Sequence, residues 1–312
     1  MKKAIVSGAN GFIGRSIVKE LRAQGVEVVA FVYPISSGDF TDEVESCFFD
    51  FNDPLAVLNE DINLSGCDAY FNFAWQSVVG EKQADSKTQL ANVTGCIEQI
   101  KLCKEIACPV FINAGSISEN APQYVDYSAD PMPPPGQLIY GSAKLAAKLL
   151  GLSVSKSLGI SFIQGTITNT YGPGEKSERF VISTLRKIIS GDPLRFTAAT
   201  QLYDFIYIED LARAFFHIAE YGAAYTSYAI GSGEAKALKL FIDDILDVCK
   251  DHVRMKPEFG AVSFSGLDYP MSCYDTEPLN KDTGFKPGIS FKDGVAKTLE
   301  WLIQTEKQYY ER

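Results

Sequence analysis

Tyr140 and Lys144 stand four residues apart in Tyr-Gly-Ser-Ala-Lys. If that segment is helical, the spacing sets a phenol and an ammonium one turn apart on a shared face. A positive charge beside a phenol favours the phenolate and draws its pKa down from about 10 toward working pH. A tyrosine tuned in this way can exchange a proton with an alcohol while a nicotinamide exchanges the hydride. Ser116 closes Asn113-Ala-Gly-Ser116, 24 residues before Tyr140, and offers a hydroxyl that could orient the reacting oxygen. Ser118 reads as a turn serine. A Tyr–Lys pair on a solvated helix face has the same spacing, so the chemical reading depends on a cofactor site upstream.

Gly8-Ala-Asn-Gly11-Phe12-Ile13-Gly14 supplies one. It follows an apolar run that reads as a strand and opens a helical pattern. In that setting the first glycine permits a sharp turn, the second admits a pyrophosphate to the backbone, and the third lets helix pack on strand. The helix start around Phe12 and Ile13 adds free N–H groups and a partial positive charge. An NAD site usually has an acid at the end of the second strand, for the adenosine ribose. Here that end is Phe31-Val32-Tyr33-Pro34, with neither acid nor arginine, which leaves NAD or NADP open with a slight lean to NADP. Ser36 and Ser37 could take a 2′-phosphate, and Asp50-Phe51 after the third strand would lie near the adenine.

The elements that must hold these groups alternate along the first 160 residues. Lys3–Ser7, Val26–Val32, Cys47–Phe49, Ala69–Phe73, Val110–Asn113 and Ile160–Gln164 read as strands. Most are nearly continuous apolar runs, as buried parallel strands are. Phe12–Gln24, Gln83–Ala107 and Gln137–Leu158 read as helices between them. The expected fold is therefore α/β, a Rossmann-type doubly wound parallel sheet. After Thr168 the rhythm breaks. A turn at Tyr171–Gly174 precedes a helix at Ser177–Ser190, a strand at Asp204–Ile208, and a helix at Glu209–Tyr221. A strand at Tyr228–Ile230 and helices at Leu238–Cys249 and Phe291–Thr305 complete the chain. The division expected is a dinucleotide domain at 1–168, with 204–224 returning to it, and a smaller interleaved substrate domain at 169–312. Pro131-Met-Pro-Pro-Pro135 is a stiff segment ahead of the helix that holds Tyr140.

Composition narrows the function classes. The chain has 312 residues, 46% of them hydrophobic, and mean hydropathy is −0.02. That is a globular composition with length for a large core. Twenty-nine basic against 39 acidic residues give −10, a poor match to nucleic acid or an anionic membrane surface. An anionic ligand then needs a local site. Seven cysteines without a CxxC pair, and only two histidines, read as core thiols of a reducing, cytoplasmic setting with no metal site. The start MKKAIVSGANG turns at glycine too early for a signal peptide, and no run of about 18 apolar residues suits a membrane span.

Taken in order, these segments resemble the extended short-chain dehydrogenase/reductases, specifically the NAD-dependent epimerase/dehydratase family acting on nucleotide sugars. Gly8, Gly11 and Gly14 match its GxxGxxG, and Phe71-Asn-Phe73-Ala74 its fourth-strand segment beside the cofactor. Asn92-Val-Thr-Gly95 matches its NVxG stretch. Ser116, Tyr140 and Lys144 match its catalytic triad. Ile167-Thr-Asn169-Thr-Tyr171-Gly-Pro-Gly174 is similar to its FNxYGPG segment, and Asp204–Asp210 to its DFxYVxD. Phe285-Lys-Pro287 and Trp301 are similar to its C-terminal signature.

The resemblance implies that Lys144 holds the nicotinamide ribose, Tyr140 moves the proton, and Ser116 binds the sugar oxygen. Asn169 would touch the substrate diphosphate, while hydride passes between the sugar C4 and the nicotinamide. It also implies a homodimer built on the two long helices. Two departures stand out: Tyr203 and Thr166 occupy positions where the family often has arginine. Residues 175–195 form a basic island, five cations against three acids, with Arg179 the expected substrate ligand. The family's 4,6-dehydratases carry Asp–Glu directly after the serine/threonine position. Here Ile117-Ser118 follows and Glu119 comes one place late, so the expectation is a 4-ketoreductase or 4-epimerase and no dehydratase. The other class of reading is a non-catalytic dinucleotide sensor, which typically lacks the Tyr–Lys pair.

Overall fold

The computed structural model describes residues 1–32, 44–78, 81–128 and 132–310. Ser36, Ser37 and Pro131 lie outside them. The strands are β1 Lys3–Ser7, β2 Glu27–Val32, β3 Glu45–Phe48, β4 Ala69–Asn72, β5 Val110–Ser116, β6 Ser161–Ile167, β7 Asn169–Tyr171, β8 Leu202–Tyr203, β9 Phe205–Tyr207, β10 Thr226–Ile230 and β11 Lys236–Ala237. The helices are α1 Phe12–Ala23, α2 Ser86–Glu105, α3 Ala121–Tyr124, α4 Pro135–Leu158, α5 Phe180–Ser190, α6 Ile208–Tyr221, α7 Leu238–Val248, α8 Glu277–Thr283 and α9 Phe291–Tyr310.

Seven strands form one sheet in the order β10-β6-β5-β4-β1-β2-β3, every neighbouring pair parallel. This is the doubly wound α/β arrangement, with the order reversing beside β1. Side chains alternate across the sheet. Ala4 and Val6 join an apolar layer with Ile17 and Leu21 of α1 and Phe215 of α6. Ile5 faces the other way, into a layer with Ile100 of α2 and Ala147 of α4. Because helices cover both faces, all five residues of β1 are buried.

Two departures from the sequence reading have local causes. The helix bearing Tyr140 begins at Pro135, because proline fits a first helical turn whose N–H has no partner anyway. The 204–208 strand reduces to β9 and pairs with β7 in a separate two-stranded sheet, while β10 supplies the seventh strand of the main one. Past β7 the chain is anchored by aromatic packing. Phe205 lies 4.9 Å from Phe241, Phe241 lies 4.7 Å from Phe291, and Tyr171 OH donates to Phe291 O at 3.0 Å. One apolar cluster runs from β1 and α1 through α6 to α7, α8 and α9, so the C-terminal elements share the core of the main sheet.

Candidate active site

The glycine turn is built by contacts that side chains would spoil. Gly8 has φ +70, and a Cβ there would lie 2.7 Å from Ala74 N. At Gly14 a Cβ would run into the Gly8 carbonyl. Gly11 caps α1, so the first-turn N–H groups of Phe12, Ile13 and Gly14 lack intrahelical acceptors. These residues line a cavity of about 240 Å³ that also reaches Tyr140 and Lys144. On the other side of Gly8 and Gly11 lies a cavity of about 400 Å³ walled by Phe31, Phe49, Phe51, Phe73 and Ala74. Asp50 is not part of that wall; its Oδ1 accepts from Asn52 N at 2.9 Å in a local turn.

Strand β5 and helix α4 bring the expected triad together. Ser116 ends β5, and Tyr140 and Lys144 lie on α4, both buried. Close packing here depends on Gly141, where a Cβ would collide with the Ser118 carbonyl. Ser116 Oγ accepts from Ser118 N at 3.2 Å, capping the turn. Ser116 and Tyr140 border both the glycine-side cavity and a further one of about 370 Å³. The last is lined by Asn169, Arg179, Tyr203, Phe180 and Phe205 among others. Asn169 is held by donating Nδ2 to Asp204 O at 3.1 Å.

Burial leads the electrostatics of this pair. The Lys144 Nζ donates to Ala114 O at 2.9 Å and lies 3.7 Å from the centre of the Trp75 ring. The Tyr140 ring centre is 5.9 Å away. Burial pushes the Tyr140 phenol up from 10, the Arg179 guanidinium and the Ser116 hydroxyl pull against it, and Glu119 adds to the rise. Burial also holds the Lys144 ammonium down at about 8, with Cys96 and Glu119 opposing. Desolvation outweighs mutual charge in both cases.

The basic island disperses in three dimensions. Arg179 lines two cavities, whereas Arg186 pairs with Glu178 and Arg195 with Glu258. Thr166 is nowhere near a diphosphate role; its hydroxyl donates to Glu119 Oε1 at 2.6 Å. Glu119, 1% exposed, also accepts from Gln164 Nε2 at 2.8 Å and Lys148 Nζ at 3.2 Å. From Gln164 the bonds continue to Asn113, Asn72 and Ser7 at 2.9, 2.9 and 3.1 Å, one residue on each of β6, β5, β4 and β1. The sequence reading found neither this row nor Trp75, although a tryptophan directly after Phe-Ala in the fourth-strand segment was its visible sign.

Two hydroxyls, Thr170 Oγ1 and Ser177 Oγ, are buried without partners among the described residues, and both residues line these cavities. A glycine cradle, free helix-start donors and orphaned hydroxyls fit a phosphate-bearing dinucleotide and a polar second ligand. Among the described residues no His/Cys/Asp/Glu cluster is arranged for a metal, and no helix is long and apolar enough to cross a membrane.

Fold and site together define a Rossmann-type α/β protein of the dinucleotide-binding kind. The profile of the NAD dependent epimerase/dehydratase family matches residues 4–231, and the chain belongs to that family. It is similar to the CDP-abequose synthase of Salmonella typhimurium, 26% identical over 308 residues, covering 96% of this chain and 97% of that protein. It is similar to dTDP-glucose 4,6-dehydratase 1 of Escherichia coli over 174 residues only, at 27% identity, covering 54% and 48% of the two chains. Among solved structures, MoeE5 in complex with UDP-glucuronic acid and NAD superposes with a TM-score of 0.75 at 23% identity, covering 97% of this chain and 99% of that one. At that identity the likeness speaks for the fold.

Proposed function

We propose that the chain reduces a 4-keto group of a nucleoside-diphosphate sugar, with Ser116, Tyr140 and Lys144 as its working residues. The observation that carries this reading is convergence: Ser116 and Tyr140 sit where the glycine-side cavity meets the cavity of Asn169 and Arg179. A bound nicotinamide dinucleotide would supply the hydride. Gly8, Gly11, Phe12, Ile13 and Gly14 would hold its phosphates, and Lys144 its sugar. Phe49, Phe51, Phe73 and Ala74 would line its adenosine side. Among the described residues no carboxylate lines that side, which leaves room for a 2′-phosphate and favours NADPH.

Within the site, Ser116 orients the substrate oxygen and Tyr140 gives it a proton. The buried phenol carries its proton at neutral pH and can give it to the developing alkoxide. Arg179 brings the positive charge a diphosphate requires, and Asn169 a polar contact. Dehydration finds no support, because Ile117 is packed in a core, Ser118 N is tied to Ser116, and the Glu119 carboxylate is consumed by Gln164, Thr166 and Lys148. The CDP-abequose synthase matches along nearly the whole chain and the 4,6-dehydratase along about half, which supports the same choice. Exposed Leu90 of α2 and Leu149 and Leu150 of α4 support pairing of two copies through these helices.

The test is to purify the protein, assay it for retained dinucleotide, and offer NADPH with CDP-, dTDP-, UDP- and GDP-linked 4-keto sugars. Turnover of NADPH by protein that retains no dinucleotide is expected. Stoichiometric NAD surviving dialysis would favour a 4-epimerase and sink the reductase. Tyr140→Phe should abolish turnover while dinucleotide still binds; unchanged activity breaks the assignment.

A further inference from the structure

Trp75 stands between the two cofactor-side cavities and lines both. Its indole has little freedom. Nε1 donates to Gln89 Oε1 at 2.9 Å, and Gln89 Nε2 donates to Ser77 O at 3.1 Å. Asn92 clasps the intervening residue, accepting from Gln76 N and donating to Gln76 O, both at 2.9 Å. Gln89 and Asn92 are buried on α2, so the helix fixes the 75–77 segment from behind. The face of the ring meets Lys144 Nζ at 3.7 Å, and the Tyr140 ring stands edge-on at 6.2 Å between centroids.

Lys144 has no carboxylate within ion-pair distance among the described residues. Its charge rests on one carbonyl, Ala114 O, and on the π-face of Trp75. The titratable and charged groups around it are Cys96 from α2, Glu119 from the turn after β5, and Tyr140 on its own helix, with Arg179 facing Tyr140 across the cavity. An aromatic face attracts a desolvated ammonium, and the attraction needs the ring quadrupole and not merely an apolar wall.

We propose that Trp75 is a positioning residue for this site: it holds the Lys144 ammonium in place and forms the floor on which the dinucleotide lies between the glycine turn and Lys144. The inference rests on the reading of the cavities as a dinucleotide site. It goes beyond that reading in giving the indole a task that neither a small residue nor an aliphatic one performs. The fixed ring also makes dinucleotide binding and the state of Lys144 two aspects of one contact.

The sequence contains two tryptophans, Trp75 and Trp301, so with excitation confined to indole Trp75→Phe leaves Trp301 as the sole emitting tryptophan. Titration of wild type with NAD⁺ and NADP⁺ should quench emission, whereas W75F should bind dinucleotide by calorimetry without quenching. Equal quenching in W75F, or none in wild type despite calorimetric binding, overturns the proposal. The second measurement is dinucleotide Kd against pH in wild type, W75F and Trp75→Leu, each checked for an unchanged melting transition. Binding weakens as Lys144 loses its proton. Trp75→Leu should move that midpoint down by about one unit, and W75F by clearly less, because phenylalanine keeps a weaker π-face. Equal shifts in both variants, or no shift in either, would mean that the indole only fills space. Neither measurement uses a sugar, so wild type that quenches and titrates as described but turns over no 4-keto sugar refutes the proposed reaction and not this inference.

Discussion

Replacing Lys144 by methionine should raise stability while ending activity. The side chain is 5% exposed, and burial lowers its pKa from the ordinary 10.5 to about 8. At about 1.4 kcal/mol per unit, keeping the ammonium buried at neutral pH costs the fold about 3 kcal/mol. Methionine has a similar reach, avoids that cost and still packs against Trp75, but it leaves Ala114 O without its donor, a loss of about 1 kcal/mol. The net gain at pH 7 is about 2 kcal/mol. For a chain of this length, 1 kcal/mol moves Tm by about 1.5 °C, so the variant should melt about 3 °C higher. The pH dependence is the sharper check. Between about 8 and 10.5 the folded lysine is neutral and the unfolded one charged, so unfolding takes up a proton and wild-type stability rises with pH. The advantage of Lys144→Met should therefore be full below pH 8, vanish near pH 10 and turn into a deficit of about 1 kcal/mol above pH 10.5, where only the lost hydrogen bond remains. Thermal melts at pH 7 and pH 10 measure both quantities. A variant that melts lower than wild type at pH 7, or whose difference is the same at both pH values, refutes the desolvation argument.

Other outcomes follow from the same geometry. Gly8→Ala should lower stability by about 1 to 3 kcal/mol and weaken dinucleotide binding at least about tenfold by calorimetry, since φ is +70 and a Cβ would press on Ala74 N. Arg179→Gln should raise KM for the nucleotide sugar about tenfold or more, with a smaller loss of dinucleotide affinity because Arg179 also borders the glycine-side cavity; an unchanged KM would place the diphosphate elsewhere. Glu119→Gln strips the carboxylate from Lys148 at a buried site and should lower stability by about 3 kcal/mol. Denaturant melts would show it, and adding Lys148→Met should restore part of the loss.

Much of the fold could be read along the chain because buried parallel strands are locally apolar and their helices locally periodic. The glycine turn was equally legible, since its chemistry is contained in seven consecutive residues. The Tyr140–Lys144 pairing was legible as proximity but not in its surroundings: helical spacing brings the two side chains near each other, but says nothing of the carbonyl and indole that claim the ammonium. Those partners, Ala114 and Trp75, lie 30 and 69 positions away from Lys144. Glu119 illustrates the same limit. Its neighbours in sequence suggest a misplaced catalytic acid, and only the fold reveals Gln164, Thr166 and Lys148 converging on it.

The polar row under the sheet bears on how the strands find their alignment. Strands buried on both faces lack the alternation that would tell one offset from the next. Ser7 stands opposite Asn72, Asn72 opposite Asn113, and Asn113 opposite Gln164, so each hydrogen bond forms at a single offset between its two strands. Sliding one strand by a residue would strand buried amides at about 1 to 3 kcal/mol each, and carry its end along by about 3.3 Å. Ser116 sits at such an end, three residues beyond Asn113. A few side chains that line none of the three cavities of the site thus act as a ratchet pawl for the sheet, and the reach of the Ser116 hydroxyl is decided by where they engage.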